Sequence, residues 1–279
     1  MKRFFLIFIL LLQSLNTFSS PGSDPLSQAK KIAIATNKLI LVDFTAVWCG
    51  PCKRMESESW NKEDIMELSS LYVFIKIDVD MYRDIATNFG IKSIPNIFIL
   101  DPNGEVIHQS TGYQTKEKLT SFLKKYAINL KYLQSSYIIN FKKETASSLI
   151  RLAKKQQEFS ILLNRPVKDE FLSLSRTYLK KAEKRLKKEK NSALTQEVEL
   201  LYLHGYLISN NYDKVEKKLK KGFKEEKIDE LNRSLYYFLN YMVNSKNNNK
   251  EKAKFYLDKL KEQNYSKVYL KEIKLLSPA

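Results

Sequence analysis

The chain has 279 residues, a formal net charge of +17, 43% hydrophobic and 28% charged residues, and only two Cys, seven Gly and seven Pro. That length fits one large domain or two ordinary ones, and the apolar share excludes a disordered or collagen-like chain. Two cysteines exclude a disulfide-rich scaffold and a self-contained four-cysteine zinc or iron–sulfur site. The charge is uneven. Residues 130–279 hold 33 Lys and Arg against 18 Asp and Glu, residues 20–129 hold 13 of each, and Lys2 and Arg3 supply the remainder. A neutral stretch followed by a basic one predicts two domains, 20–129 and 130–279.

Met1-Lys2-Arg3 is followed by nine apolar residues, 4–12, and then by the small and polar run Asn16-Thr17-Phe18-Ser19-Ser20. A charged start, a short apolar middle and a small-residue exit make a secretory signal peptide over residues 1–19, cut after Ser19 with Thr17 at the −3 position. The alternative is an uncleaved anchor, but the apolar run falls well short of the roughly 20 residues that span a bilayer. The expected setting is extracytoplasmic, periplasmic or secreted, where disulfide chemistry is permitted.

The next elements follow in order. Residues 24–36 predict a helix with Pro25 in its first turn. Leu39-Ile40-Leu41-Val42-Asp43-Phe44 is a short apolar run with one acid, as expected of a buried strand. Trp48-Cys49-Gly50-Pro51-Cys52-Lys53 comes next, then a helix over 51–70, a second strand at 72–77 and a short helix over about 81–89. Strands 96–100 and 105–108 are joined by Asp101-Pro102-Asn103-Gly104, a hairpin turn. A last helix covers about 115–126. The order αβαβαββα is that of a layered α/β domain.

These residues resemble the thioredoxin family over 24–128. The run 48–53 has the family's active-site sequence. Asp43 lies on the preceding strand where the family has a buried acid, Lys76 stands where it has that acid's lysine partner, Ile94-Pro95 falls at its cis-proline, and Gly112 at its surface glycine. The resemblance implies a thioredoxin fold, with a central mixed sheet flanked by helices. It implies Cys49 as the attacking thiolate, with its pKa lowered at a helix N-terminus, and a more deeply placed Cys52 as the resolving thiol. Asp43 would take the Cys52 proton, tuned by Lys76. Trp48, Gly50, Pro51, Ile94, Pro95 and Gly112 would form the substrate surface. Two positions depart from the family: Thr45 replaces a usual aromatic residue and Asn96 a usual Thr. With the leader, the pattern looks like exported thioredoxin-like proteins, including the soluble end domain of transmembrane thiol–disulfide interchange reductases.

Residues 130–279 have no Trp, no Cys and two Gly, Gly205 and Gly222. Apolar spacing predicts an all-α domain of about six helices: 143–163, 167–189, 193–209, 212–222, 227–245 and 248–262. Polar breaks at 210–213 and 247–250 separate helix pairs that weakly resemble tetratricopeptide repeats. Only five of the 33 basic residues are Arg. That disfavours phosphate readout, which prefers the planar Arg fork, and the expected export disfavours nucleic acid. The lysines fit solvated helix faces or, through the run 180–188, an anionic membrane surface or acidic partner. His108 and His204 fall on separate elements, as a strand-surface and a helix-face residue, and no metal site is expected.

The sequence therefore predicts an exported thiol–disulfide oxidoreductase that needs no cofactor and acts on protein disulfides. Its electrons would come from an unidentified donor, for which a membrane thiol–disulfide reductase is a candidate. The Gly-Pro pair between the cysteines resembles reducing members, whereas oxidases and isomerases more often carry His there. The alternatives are an oxidase or isomerase, and a helical binding module in which the first domain serves docking or redox sensing.

Overall fold

The computed structural model describes residues 24–276, so the expected leader lies outside the described residues. Helix α1 (Pro25–Thr36) is capped by Asp24, whose side chain accepts from the Leu26 N–H at 2.9 Å. Strands β1 (Ile40–Thr45), β2 (Val73–Asp78), β3 (Asn96–Leu100) and β4 (Val106–Thr111) form one sheet in the order β2-β1-β3-β4. The β1–β2 pair is parallel and the other two are antiparallel, which makes the sheet mixed, as expected. Helices α2 (Gly50–Met55), α3 (Glu63–Ser69), α4 (Arg83–Asn88) and α5 (Lys116–Tyr126) flank it.

Alternation along β1 decides what each face buries. Ile40, Val42 and Phe44 join Leu26, Ala29 and Ala33 of α1, with Phe98 and Leu100. Leu41 joins Ile97, Ile99, Met55, Trp60 and Leu123 on the other face. Asp43 shares the period of Leu41, so its carboxyl is delivered into the second core.

The expected helix over 51–70 is broken. A π-helical turn, Glu56–Trp60, separates α2 from α3, and the Asn61 N–H reaches back five residues to the Glu56 carbonyl at 2.9 Å. Such wide turns leave no mark on a 3.6-residue pattern and are common beside functional groups.

The basic half holds eight helices among the described residues, where six were expected. They are α6 (Gln134–Lys142), α7 (Ala146–Ser160), α8 (Val167–Glu189), α9 (Ser192–Ile208), α10 (Tyr212–Gly222), α11 (Arg233–Lys246), α12 (Lys250–Lys261) and α13 (Ser266–Leu276). The two additions bury Ser136, Tyr137 and Asn140 in α6, and Ser266, Tyr269 and Glu272 in α13. Polar residues interrupt the inward face of each, among Tyr137 and Ile138 in α6 and Tyr269, Leu270 and Ile273 in α13, so the apolar stripe is broken. Helix α11 starts at 233 rather than 227 because two short 3₁₀ turns, Glu225–Lys227 and Glu230–Asn232, take up the approach. None of the described helices is long and apolar enough to cross a membrane.

One hydrophobic cluster runs from Ile97, Leu119 and Tyr126 through Leu130 and Tyr137 to Phe171, Tyr178 and Leu200. The helices therefore pack directly on the sheet domain. The Tyr178 hydroxyl donates to Asp101 Oδ2 at 2.5 Å, and Asn103 Nδ2 donates to that hydroxyl at 3.1 Å. His108 is a partly exposed strand residue, as expected, and it has a partner across the seam: its Nδ1 lies 2.9 Å from Glu170 Oε1, which also accepts from the Tyr126 hydroxyl at 2.7 Å. Much of this contact is at the hairpin end of the sheet. Since Asn96 pairs with Phe44 and Leu100 with Ile40, the hairpin lies one strand length, about 13 Å, from the start of β3.

Candidate active site

Cys49 and Cys52 are joined as a disulfide, with their Cα atoms 5.3 Å apart. The link bridges the start of a helix. Cys49 is the N-cap of α2 in extended conformation, and its Sγ accepts from the Cys52 N–H at 3.2 Å. Pro51 occupies the first turn, where a missing N–H costs nothing. Free N–H groups and the positive end of the helix favour a thiolate at Cys49 once the bond is reduced. Depth does not separate the pair as expected: Cys49 is 2% exposed and Cys52 6%. Ala46, Val79 and Ile94 wall them in. Position at the helix start, not depth, distinguishes Cys49.

Several predicted surface residues come together here. The Ile94–Pro95 peptide is cis, and the Pro95 carbonyl accepts from the Gly112 N–H at 2.8 Å. Gly112 has φ of +89°, a conformation that favours Gly, and a Cβ there would meet only open space. Trp48 is 68% exposed and its Nε1 donates to Asp80 Oδ2 at 2.7 Å. Asp80 went unnoticed in the sequence, where only its place just after β2 marks it. Exposed Val47 and Met81 enlarge the apolar surface around Trp48. Asn96 is an internal fixture: buried, with Oδ1 accepting from Gln109 Nε2 at 3.2 Å and Thr111 Oγ1 at 3.4 Å. Gly50 has open space around its Cα.

Asp43 is 3% exposed, and its Oδ1 has no hydrogen-bond partner. It sits opposite Lys76 across β1 and β2, yet the expected Asp43–Lys76 pair does not form. Lys76 makes its ion pair with Glu56 instead. Burial raises the Asp43 pKa to about 7. Lys76 opposes the rise, Glu56 adds to it, and the indole of Trp60 opposes it least. Trp60 Nε1 is likewise buried without a completed hydrogen bond. Glu56 is thus part of the site, and the sequence hid it because its partner Lys76 stands 20 residues further along the chain, on β2.

Known proteins resemble the first part of the chain. Residues 27–125 match the family model described as Thioredoxin. Thioredoxin of Ophiophagus hannah is 40% identical over 96 residues, covering 34% of this chain and 87% of that protein. Thioredoxin of Bacillus subtilis (strain 168) is 36% identical over 88 residues, covering 32% and 82%. The crystal structure of thioredoxin NaTrxh from Nicotiana alata is similar at 34% identity and a TM-score of 0.31, covering 38% of this chain and 87% of that one. The family model ends at residue 125, before the helical half begins.

Proposed function

Through residues 27–125 the chain belongs to the thioredoxin family, and from that premise we propose that it is an extracytoplasmic thiol–disulfide oxidoreductase that reduces protein disulfides. The observation that carries this reading is the Cys49–Cys52 disulfide at a helix start, walled by Ile94 next to cis Pro95.

The cycle begins from the dithiol. The Cys49 thiolate attacks one sulfur of a substrate disulfide; the Cys49–substrate S–S bond forms, the substrate bond breaks, and the electron pair leaves on the departing thiolate. The Cys52 thiol then gives its proton to the Asp43 carboxylate, directly or through a water. The resulting Cys52 thiolate attacks Cys49 Sγ, expels the second substrate sulfur and closes the disulfide. Two electrons have passed to the substrate. A donor dithiol must restore them, and a membrane thiol–disulfide reductase is the proposed source. Val47, Trp48, Met81 and Ile94 supply an apolar surface for the substrate segment, and the Asp80 contact holds the Trp48 ring in place.

The leader-like composition of residues 1–19 supports export. The Gly50-Pro51 pair supports reduction over oxidation. We assign residues 20–129 to the redox domain and 130–279 to a helical domain that positions a partner.

The Cys52→Ser variant tests the chemistry. It retains the attacking sulfur but cannot resolve, so it is expected to accumulate mixed disulfides that dithiothreitol releases and that Cys49→Ser abolishes. If Cys52→Ser traps no proteins in cells, the enzyme reading fails and the binding-module reading takes its place.

A further inference from the structure

The basic half carries a concave surface on which lysines outnumber acids. A groove of about 920 Å³ lies between α9 and α10, and one of about 660 Å³ adjoins it along α8; Glu183 and Glu199 line both. The α8 wall presents Lys180, Lys184 and Lys187. The α10 wall presents Lys214, Lys217, Lys218 and Lys221. Among the described residues none of these lysines forms an ion pair, whereas their neighbours Lys181, Arg185 and Lys220 pair with Glu105, Glu144 and Glu216. All seven wall lysines are exposed.

The floor is aromatic. Tyr202 and Tyr206 of α9 and Phe223 beyond α10 are half-buried. The Tyr202 hydroxyl donates to Glu183 at 3.0 Å, which ties down one of the two acids. Lys214 Nζ stands 3.8 Å from the Tyr206 ring centre. With Lys218 and Arg176 it holds the Tyr206 hydroxyl below its ordinary range, against partial burial.

We propose that this groove binds an extended acidic segment of a partner protein, with its carboxylates on the two lysine walls and an aromatic or apolar side chain on Tyr202, Tyr206 and Phe223. Shape, charge and residue type support it. The floor from Thr195 to Tyr206 is about 16 Å long at 1.5 Å per residue, which matches about five residues of extended chain. Flexible Lys ammonium groups serve scattered carboxylates as point charges, whereas planar phosphate recognition favours the Arg fork. A bilayer is flat and cannot follow a groove down to its aromatic floor. The proposal rests on α8–α10 and stands whether or not the dithiol reduces protein disulfides.

The test uses the full chain and a fluorescein-labelled hexapeptide of Asp and Glu with one central Phe, followed by fluorescence anisotropy at low salt. Binding is expected, and it should weaken as salt screens the lysines. Lys184→Glu combined with Lys218→Glu places one reversal on each wall and should weaken binding at least tenfold. Lys184→Gln with Lys218→Gln should give a smaller loss while circular dichroism reports an intact fold. A control with the same change in net charge, Lys259→Glu with Lys261→Glu on α12, should change affinity less than twofold. Replacing the peptide Phe by Ser should also weaken binding. An equal loss in the control pair would overturn the proposal, because net charge alone would then explain the attraction. So would a peptide that fails to bind while phosphatidylserine vesicles are held in a manner dependent on Lys184 and Lys218.

Discussion

A carboxyl on a buried strand, with one oxygen unbonded and a lysine across the sheet committed elsewhere, gives up its proton reluctantly. Asp43 is held at a pKa of about 7 but ionises near 4 in the unfolded chain. Folding therefore takes up a proton between about pH 4 and pH 7. The stabilising contribution is complete below pH 4 and is lost as the pH rises through 7. Asp43→Asn removes that loss, so urea unfolding should find the variant ~2–4 kcal/mol more stable than the parent at pH 8 and nearly equal at pH 4. The same offset at both pH values would show that Asp43 does not titrate as stated. In catalysis the same group must be ionised to accept the Cys52 proton, so the resolving step should accelerate about tenfold from pH 6 to pH 8. Glu56→Gln removes the charge that adds to the Asp43 rise and frees Lys76 to oppose it. Its profile should keep the same shape with a midpoint below 7, measured by release of thionitrobenzoate from a Cys49 mixed disulfide. An unmoved midpoint would leave Glu56 as a surface partner of Lys76 only. Cys49 and Cys52 were legible in the sequence as a short pattern between a strand and a helix, whereas Asp43 and Pro95 stood out only through the resemblance to thioredoxins. Glu56 and Asp80 did not, since each acts through a partner 20 or more residues away.

At the scale of elements, the sequence pattern worked where one face is continuously apolar and failed where polar residues interrupt the buried face. Helices α8 and α10 match the expected bounds because their inward residues are Leu, Val and Phe at helical spacing. The two inner helix hairpins share one turn design. Asn210 and Asn248 take positive φ, and Asn211 and Asn249 cap the following helices through their side chains. These are the polar breaks the sequence displayed, and both Asn roles are usual for the residue. By contrast α13 adds a buried polar contact to its apolar packing. Glu272 Oε2 lies 2.7 Å from His204 Nε2, while His204 Nδ1 lies 2.9 Å from Gln157 Oε1. Gln157 Nε2 donates to the Leu201 carbonyl, so its oxygen must accept from the histidine. His204 is thus a buried core residue, not the helix-face residue expected. His204→Ala would leave Glu272 buried without a counterpart, at a cost of about 3–5 kcal/mol. Thermal unfolding should show a large fall in Tm, and a change smaller than 1 kcal/mol would mean that water reaches Glu272.

The whole molecule joins a redox sheet domain to a helical one through a shared core and a polar seam at the hairpin. The charge boundary near residue 130 was visible in composition. The packing across it was not, because Tyr178, Asp101, His108 and Glu170 are far apart in the chain and individually unremarkable. The proposed role of the Cys49–Cys52 pair is reduction, and its reduction potential decides that role. The full chain would be equilibrated in defined thiol buffers and the dithiol fraction counted by alkylation. A value near −270 mV, the poise of reducing thioredoxins, is expected. A value between about −180 and −120 mV, the range of isomerases and strong oxidants, would contradict it and assign the protein to disulfide formation or reshuffling.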